Sequence, residues 1–124
     1  MLVDAFVGGP SIVASRQALA REDEMVAPAI LLAEASSALR RMVLQGKVSS
    51  GQARSALLAA RSLAVTRFPF EPFVERVWEL RDNVTVYDAW YVALAEALDV
   101  PLLTADRRLA EAPGPRCEVR LVRS

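Results

Sequence analysis

The chain has 124 residues, 53% of them hydrophobic, and its fifteen basic and fifteen acidic residues give a formal net charge of zero. This length accommodates one domain, 1–124, with a sizeable core, and the neutral balance provides no overall basic field for nucleic acid. No apolar stretch approaches the roughly 18 residues of a membrane helix. Cys117 is the only cysteine, which excludes an internal disulfide and favours a reducing, cytoplasmic setting.

The sequence contains no histidine. This absence excludes Ser-His-Asp and Cys-His nucleophilic machinery, imidazole general bases and most zinc-enzyme ligand sets. A metal site in this chain would therefore use oxygen ligands, which favours Mg²⁺ or Mn²⁺. All basic residues except Lys47 are arginine. Arginine suits bidentate phosphate contacts, but a GC-rich genome would produce the same bias.

The hydrophobic periodicity alternates short apolar runs with amphipathic segments. Gly46 is predicted to end one helix in the left-handed conformation, and Ser49 or Ser50 to cap the next. In chain order the pattern predicts strand 2–4, helix 11–20, strand 24–27, helix 29–45, helix 50–63, strand 65–68, helix 72–82, helix 85–98, strand 102–104, helix 107–112 and strand 118–122.

This alternation with short connections predicts an α/β fold, in which a mostly parallel sheet is covered by helices on both faces. Ligands of such folds gather at the carboxyl ends of the strands. Asp4 and Asp106 both fall at that edge, directly after predicted strands.

Glu34 lies within the apolar stripe of helix 29–45, four residues after Ile30 and four before Ala38. A glutamate on a buried face needs a partner, because burying an unpaired charge costs several kcal/mol, on the order of 2–7 for a polar group alone. A metal ion is one such partner. The alternative is an ion pair with Arg41, which lies two turns further along the same side, and would make this flank partly exposed.

Asp88 and Asp106 each have a structural alternative. Asp88 follows Thr85 by three residues, as in a capping box, and acids in a first helical turn also favour the helix dipole. Asp106 is a plausible N-cap for helix 107–112. However, residues 89–95 carry no polar group except the tips of Trp90 and Tyr91, which predicts an interior helix beginning at Asp88. Carboxylates buried together repel one another unless a cation joins them, which points to metal-dependent phosphoester chemistry.

Three blocks of the sequence together resemble the PIN-domain ribonucleases, and within them the VapC toxins of bacterial toxin–antitoxin pairs. The resemblance implies a three-layer α/β/α fold with a mostly parallel central sheet, Mg²⁺ or Mn²⁺, endonucleolytic cleavage of RNA, homodimerisation, and inhibition by a cognate VapB-like antitoxin. The family's four acids map onto Asp4, Glu34, Asp88 and Asp106, which would act as catalytic and metal-binding residues. The blocks are 28–41 with Leu32-Ala33-Glu34, 87–96 opening with Tyr87-Asp88-Ala89, and 101–110 with Leu103-Thr104-Ala105-Asp106.

The sequence departs from the family pattern around Asp4. Phe6 occupies a position where the family usually has a small hydroxyl or amide residue, and the turn 8–10 interrupts the expected helix. These departures lead to the hypothesis that Met1 is an internal start and that the chain lacks the first strand with its catalytic aspartate. The alternative function is then a non-catalytic PIN-like module that binds an antitoxin or a dimer partner.

Overall fold

Strands alternate with helices in the computed structural model, which describes residues 26–62 and 65–121. The predicted elements at 2–4 and 11–20 lie outside the described residues. Of the strands predicted at 24–27 and 118–122, residues 24, 25 and 122 also lie outside them, and the described parts form strands at Val26–Pro28 and Val119–Leu121. The strands are β1 (Val26–Pro28), β2 (Thr66–Phe68), β3 (Leu102–Thr104) and β4 (Val119–Leu121), and the helices are α1 (Leu31–Leu44), α2 (Ser50–Arg61), α3 (Val74–Glu79), α4 (Val86–Leu98) and α5 (Arg107–Glu111).

All strand pairing among these residues is parallel. β1 pairs with β2, with Val26 opposite Thr66, and β3 pairs with β4, with Leu102 opposite Val119. Parallel strands require crossover connections, and here helices supply them: α1 and α2 lie between β1 and β2, and α5 lies between β3 and β4. The predicted α/β class with parallel strands is confirmed.

The ends of α1 and α2 follow the predicted signals. Gly46 has φ of 74° and its amide donates to the Val43 carbonyl at 3.0 Å, so the left-handed conformation that glycine adopts without strain ends α1. Ser49 caps α2 through a complete capping box, in which the Ser49 hydroxyl accepts from the Gln52 amide and the Gln52 side chain accepts from the Ser49 amide.

The helix predicted at 72–82 is wrong in length and in its first turn. A 3₁₀ turn spans Glu71–Phe73, and the α-helix that follows ends at Glu79 with Leu80 as its C-cap. The Leu80 carbonyl accepts from the Asn83 and Val84 amides in the turn that follows. Pro72 lacks an amide hydrogen and so suits the first turn of a helical segment. Hydrophobic periodicity alone does not detect such a turn.

Helix α4 is the centre of the hydrophobic core. Every residue from 89 to 95 is buried, as predicted, and the cluster around it includes Val77, Leu80, Leu102 and Leu109. The helix contacts both β1 and β3. Thr85 caps it at the N-terminus, and Asp99 ends it in the left-handed conformation with φ of 54°. Within the described ranges, no helix is both long and apolar enough to span a membrane.

An ion pair ties the C-terminal half of α4 to α3 and to the loop before β4. Arg76 donates to Glu96 through Nε at 2.7 Å and Nη2 at 2.9 Å, and also to the Gly114 carbonyl at 2.9 Å. The Arg116 amide donates to the same carboxylate at 2.7 Å. Gly114 has φ of 107°, a conformation that favours glycine, so the loop backbone reaches this position without strain. These contacts lower the pKa of the Glu96 carboxyl against the opposing effect of burial.

We expect Glu96→Ala to lower the free energy of unfolding by about 2–4 kcal/mol, because it leaves the largely buried Arg76 guanidinium without its bidentate partner. The matched control is Glu79→Ala. Glu79 also contacts Arg76, at 3.1 Å, but its side chain is 61% exposed against 14% for Glu96. This control should therefore cost less than about 1 kcal/mol.

Urea denaturation at pH 7 measures both values. The lowered pKa of Glu96 means that its stabilising contribution is present above the ordinary carboxyl pKa and is lost as the pH falls through the lowered value. The difference between wild type and Glu96→Ala should therefore shrink in acid. Equal losses for the two variants at pH 7 would contradict this account of the ion pair.

Candidate functional site

Asp88 lies in the first turn of α4, on the partly buried side of the helix. The Thr85 hydroxyl accepts a hydrogen bond from the Asp88 amide at 3.3 Å, which caps the helix through the backbone. The capping prediction for this segment is thus confirmed for Thr85. Because the Asp88 backbone makes the cap contact, its carboxylate remains available for another role.

Asp106 lies just beyond the carboxyl end of β3 and is the N-cap of α5. Its Oδ1 accepts from the Arg108 amide at 2.9 Å, and its own amide donates to the buried Thr104 hydroxyl at 3.0 Å. The capping prediction is therefore correct. A capping role is compatible with the predicted functional role, because the cap uses only Oδ1 and a carboxylate has further lone pairs that can accept or bind a ligand.

Asp88 and Asp106 line one open depression of about 200 Å³. The segment before α4 and the first turn of α5 form its walls, which explains why an acid from each helix start reaches the same space. The lining residues are Asn83, Val84, Thr85, Asp88, Asp106, Arg108 and Leu109.

Glu34 lies in the first turn of α1, with its neighbours Leu31, Ala35 and Ala38 buried as predicted. Its Oε1 is buried and makes no hydrogen bond with the described residues, and the same is true of the hydroxyl of Tyr91, a residue with 0% exposure whose hydroxyl nevertheless lies close enough to lower the pKa of Glu34. The ion pair with Arg41 does not form among the described residues, where Arg41 is exposed. An orphaned carboxylate oxygen is costly to bury, so it marks a position where a further group is expected.

Electrostatic repulsion links these acids. Burial raises the pKa of the Glu34 carboxyl above its ordinary value, the Tyr91 hydroxyl opposes this rise, and the charge of Asp88 adds to it. Burial also raises the pKa of Asp88. The Thr85 hydroxyl opposes this second rise, Asp106 adds to it, and Arg108 opposes it more weakly. Asp88 therefore connects the three acids, because its charge raises the pKa of Glu34 and the charge of Asp106 raises its own.

The described acids of the site offer oxygen ligands, and the repulsion between their charges fits a hard divalent cation. Within residues 26–62 and 65–121, however, no three acidic or cysteine side chains are arranged so that they could hold a metal ion together. Asp4, the fourth predicted ligand, lies outside the described residues. The assignment of Asp4, Glu34, Asp88 and Asp106 as a metal site therefore stays a prediction, supported by the orphaned Glu34 oxygen and the mutual repulsion.

Two residues of this region were not singled out by the sequence. Tyr91 follows Asp88 by three residues, which places both on neighbouring positions of α4, and this spacing was the available signal. Arg108 follows Asp106 by two residues, the spacing at which an N-cap carboxylate binds a backbone amide. Neither spacing reveals that a side chain reaches the acids, since that depends on how the helices pack.

Comparison with known proteins places the chain in a family. Residues 1–115 match the PIN domain family. The chain is 51% identical over 123 residues to Ribonuclease VapC1 of Mycobacterium tuberculosis, an alignment that covers 98% of this chain and 92% of that protein. It is 42% identical to VapC ribonuclease Mb0985 of Mycobacterium bovis, over 87% of this chain and 84% of that protein. It is 40% identical to Ribonuclease VapC12 of M. tuberculosis, over 82% of this chain and 79% of that protein.

The chain thus belongs to the PIN-domain family. Within that family it belongs with the VapC proteins, since relatives at 40–51% identity cover most of its length. The predicted family resemblance and the α/β fold it implied are confirmed.

We expect Glu34→Gln to raise the free energy of unfolding by on the order of 1 kcal/mol at pH 7 in EDTA, because the charged form of a partly buried carboxyl is disfavoured in the fold. The raised pKa of Glu34 fixes the sign of this change in stability. The penalty is absent below the ordinary carboxyl pKa, grows as the pH rises, and is complete above the raised pKa. The advantage of the variant should therefore vanish near pH 4.

Thermal and urea unfolding between pH 4 and pH 8 measure this difference. Glu75→Gln is the control, since Glu75 is exposed on α3 and its substitution should change the free energy of unfolding by less than about 0.5 kcal/mol at any of these pH values. A Glu34→Gln variant that is less stable than wild type at pH 7, by an amount independent of pH, would show that the Glu34 charge is already compensated.

Proposed function

We propose that this chain is a divalent-metal-dependent endoribonuclease and the toxin component of a VapBC-like toxin–antitoxin pair, built as one PIN domain. The observation that carries the proposal is the 51% identity, over 98% of the chain, to a protein named Ribonuclease VapC1. The half-buried carboxylates of Glu34, Asp88 and Asp106 support it, because they lie in the blocks that carry the family resemblance and repel one another without a cation.

In this proposal Asp4 and Asp88 are direct ligands of Mg²⁺ or Mn²⁺, and Glu34 and Asp106 bind its water ligands or a second ion. When bound, the cation supplies Lewis acidity for hydrolysis of the phosphodiester and neutralises its developing charge. Asp88 is oriented for this role by the cap that Thr85 makes to its amide. Asp106 is oriented by two hydrogen bonds: its Oδ1 accepts from the Arg108 amide, and its own amide donates to the Thr104 hydroxyl.

The buried side of the site limits the access of water to the carboxylates. Tyr91 and the Oε1 of Glu34 lie on the interior side, where α4 contributes a buried surface that is apolar apart from the polar ends of Trp90 and Tyr91. This surface keeps bulk water from the protein side of the carboxylates and leaves the open depression as the side for substrate. Charge–charge interactions are stronger in such a partly desolvated place than in water.

The partners in this proposal are RNA as substrate, a VapB-like antitoxin and a second copy of the chain. Exposed apolar side chains support protein partners, because such groups gain free energy when covered. Trp78 is 63% exposed on α3 and Tyr87 is 55% exposed at the start of α4. The proposed location is the cytoplasm, where RNA and a reducing environment are both present.

We expect Asp88→Asn to lower the rate of metal-dependent RNA cleavage by at least ~100-fold while leaving the fold intact, because it removes a charged ligand without touching the Thr85 cap. The measurement is cleavage of a mixed RNA by purified chain with Mg²⁺ or Mn²⁺, with EDTA added to a parallel sample. Asp82→Asn is the matched control, since Asp82 is exposed in the turn after α3 and should leave the rate unchanged.

Thermal unfolding of the same proteins checks the fold. Asp88→Asn should unfold at the same or a higher temperature than wild type in EDTA, since one repelling charge is gone. Retained cleavage by Asp88→Asn would remove Asp88 from the mechanism. A well-folded wild type that binds antitoxin but cleaves no RNA with either metal would instead favour the non-catalytic PIN-like module.

A further inference from the structure

The depression that holds Asp88 and Asp106 poses an electrostatic problem for an RNA-cleaving site. RNA approaches as a polyanion, and carboxylates repel its phosphates at close range. The chain as a whole has a formal net charge of zero, so no long-range field offsets this repulsion. A local positive group beside the acids would have to supply the attraction.

Arg108 is the basic side chain that lines this depression in the described part of the chain. Its backbone is held firmly, because its amide donates to Asp106 Oδ1 at 2.9 Å. The point at which the side chain leaves α5 is thus set relative to the carboxylate. The charge of the same guanidinium opposes the burial-driven rise in the pKa of Asp88, so it lies near both acids.

Among the described residues, the Arg108 side chain donates no hydrogen bond and its only ion-pair partner is Asp106. It is 95% exposed, and its Nε lies 3.9 Å from Asp106 Oδ1, beyond hydrogen-bond distance. An exposed pair of this kind contributes little to stability. Arg76 shows the contrast, since its side chain is 20% exposed and forms a bidentate pair with Glu96.

We propose that the Arg108 guanidinium binds a phosphate of the RNA backbone beside the scissile bond, and so recruits substrate to the acidic depression. This inference rests on the ribonuclease activity proposed above. The planar guanidinium carries five N–H donors in a fork that matches two phosphate oxygens, and Arg108 leaves these donors facing solvent. A backbone contact implies affinity without base preference.

Arg107 provides a matched control on the same helix. It is the preceding residue, its side chain is 69% exposed against 95% for Arg108, and its Nη1 lies 4.0 Å from Glu111 Oε2. It does not line the depression. Replacing either arginine by alanine changes the net charge equally. Any difference between the two variants therefore reports the position of the charge and not its loss.

The first experiment measures binding without cleavage. A short fluorescein-labelled single-stranded RNA is titrated in EDTA with wild type, Arg108→Ala, Arg108→Lys and Arg107→Ala at several salt concentrations. We expect Arg108→Ala to weaken binding about tenfold at low salt and to reduce the salt slope by about one, with Arg107→Ala close to wild type. Arg108→Lys should recover part of the affinity, since it keeps the charge but not the fork.

The second experiment measures steady-state cleavage of the same RNA with Mg²⁺ or Mn²⁺. Arg108→Ala should raise KM about tenfold and change kcat by less than about threefold, because the contact acts on binding and not on the reacting atoms. Thermal unfolding within about 2 °C of wild type verifies that the cap made by the Arg108 amide survives.

The outcomes separate the two proposals. If wild type does not cleave RNA with either metal, the proposed function fails, and the binding titration still reports on Arg108. If wild type cleaves but Arg108→Ala and Arg107→Ala bind RNA equally, the inference about Arg108 is wrong. It is also wrong if Arg108→Ala lowers kcat at unchanged KM, since that result would assign Arg108 to the orientation of Asp106.

Discussion

Burial of helix α4 is the constraint from which the rest of the site follows. Its residues from 89 to 95 are all removed from water, and a helix of this kind gains stability mainly from the apolar surface it buries. The helix therefore carries whatever charge it contains into or beside the core. Asp88 and Glu96, near its two ends, are the two acids on which this constraint acts, and the structure treats them in opposite ways.

At the C-terminal end the charge is compensated. Glu96 receives two hydrogen bonds from Arg76 and one from the Arg116 amide, and its pKa is lowered. At the N-terminal end compensation is incomplete: burial and the charge of Asp106 raise the pKa of Asp88, although Thr85 and Arg108 oppose the rise, and the charge of Asp88 in turn raises the pKa of Glu34. Stability and function are thus divided along one helix. Perturbed and poorly paired carboxyls are typical of sites that await a ligand.

Capping and function coincide at this site instead of competing. Thr85 caps α4 through the Asp88 amide, and Asp106 caps α5 through the Arg108 amide. Each cap supplies an acceptor for a backbone amide at the start of a helix, where the amides have no partner within the helix. The result is that the Asp106 carboxylate and the backbone of Asp88 and Arg108 hold defined positions beside the depression. Because the same residues serve both roles, the sequence alone could not decide between a structural and a functional interpretation of Asp88 and Asp106.

The sequence by itself determined the local structure and the family. Local signals, each spanning a few residues, predicted the positions of α1, α2, α4 and β3. They also predicted the left-handed Gly46 and the Ser49 cap. Only the tertiary structure decided which distant groups meet: the Arg76–Glu96 pair, 20 residues apart, and the Gly114 carbonyl, 38 residues from Arg76. It likewise decided that Glu34 faces Tyr91 and not Arg41. Helical and strand patterns depend on neighbours along the chain, whereas these contacts depend on how the helices pack, and no local pattern encodes that packing.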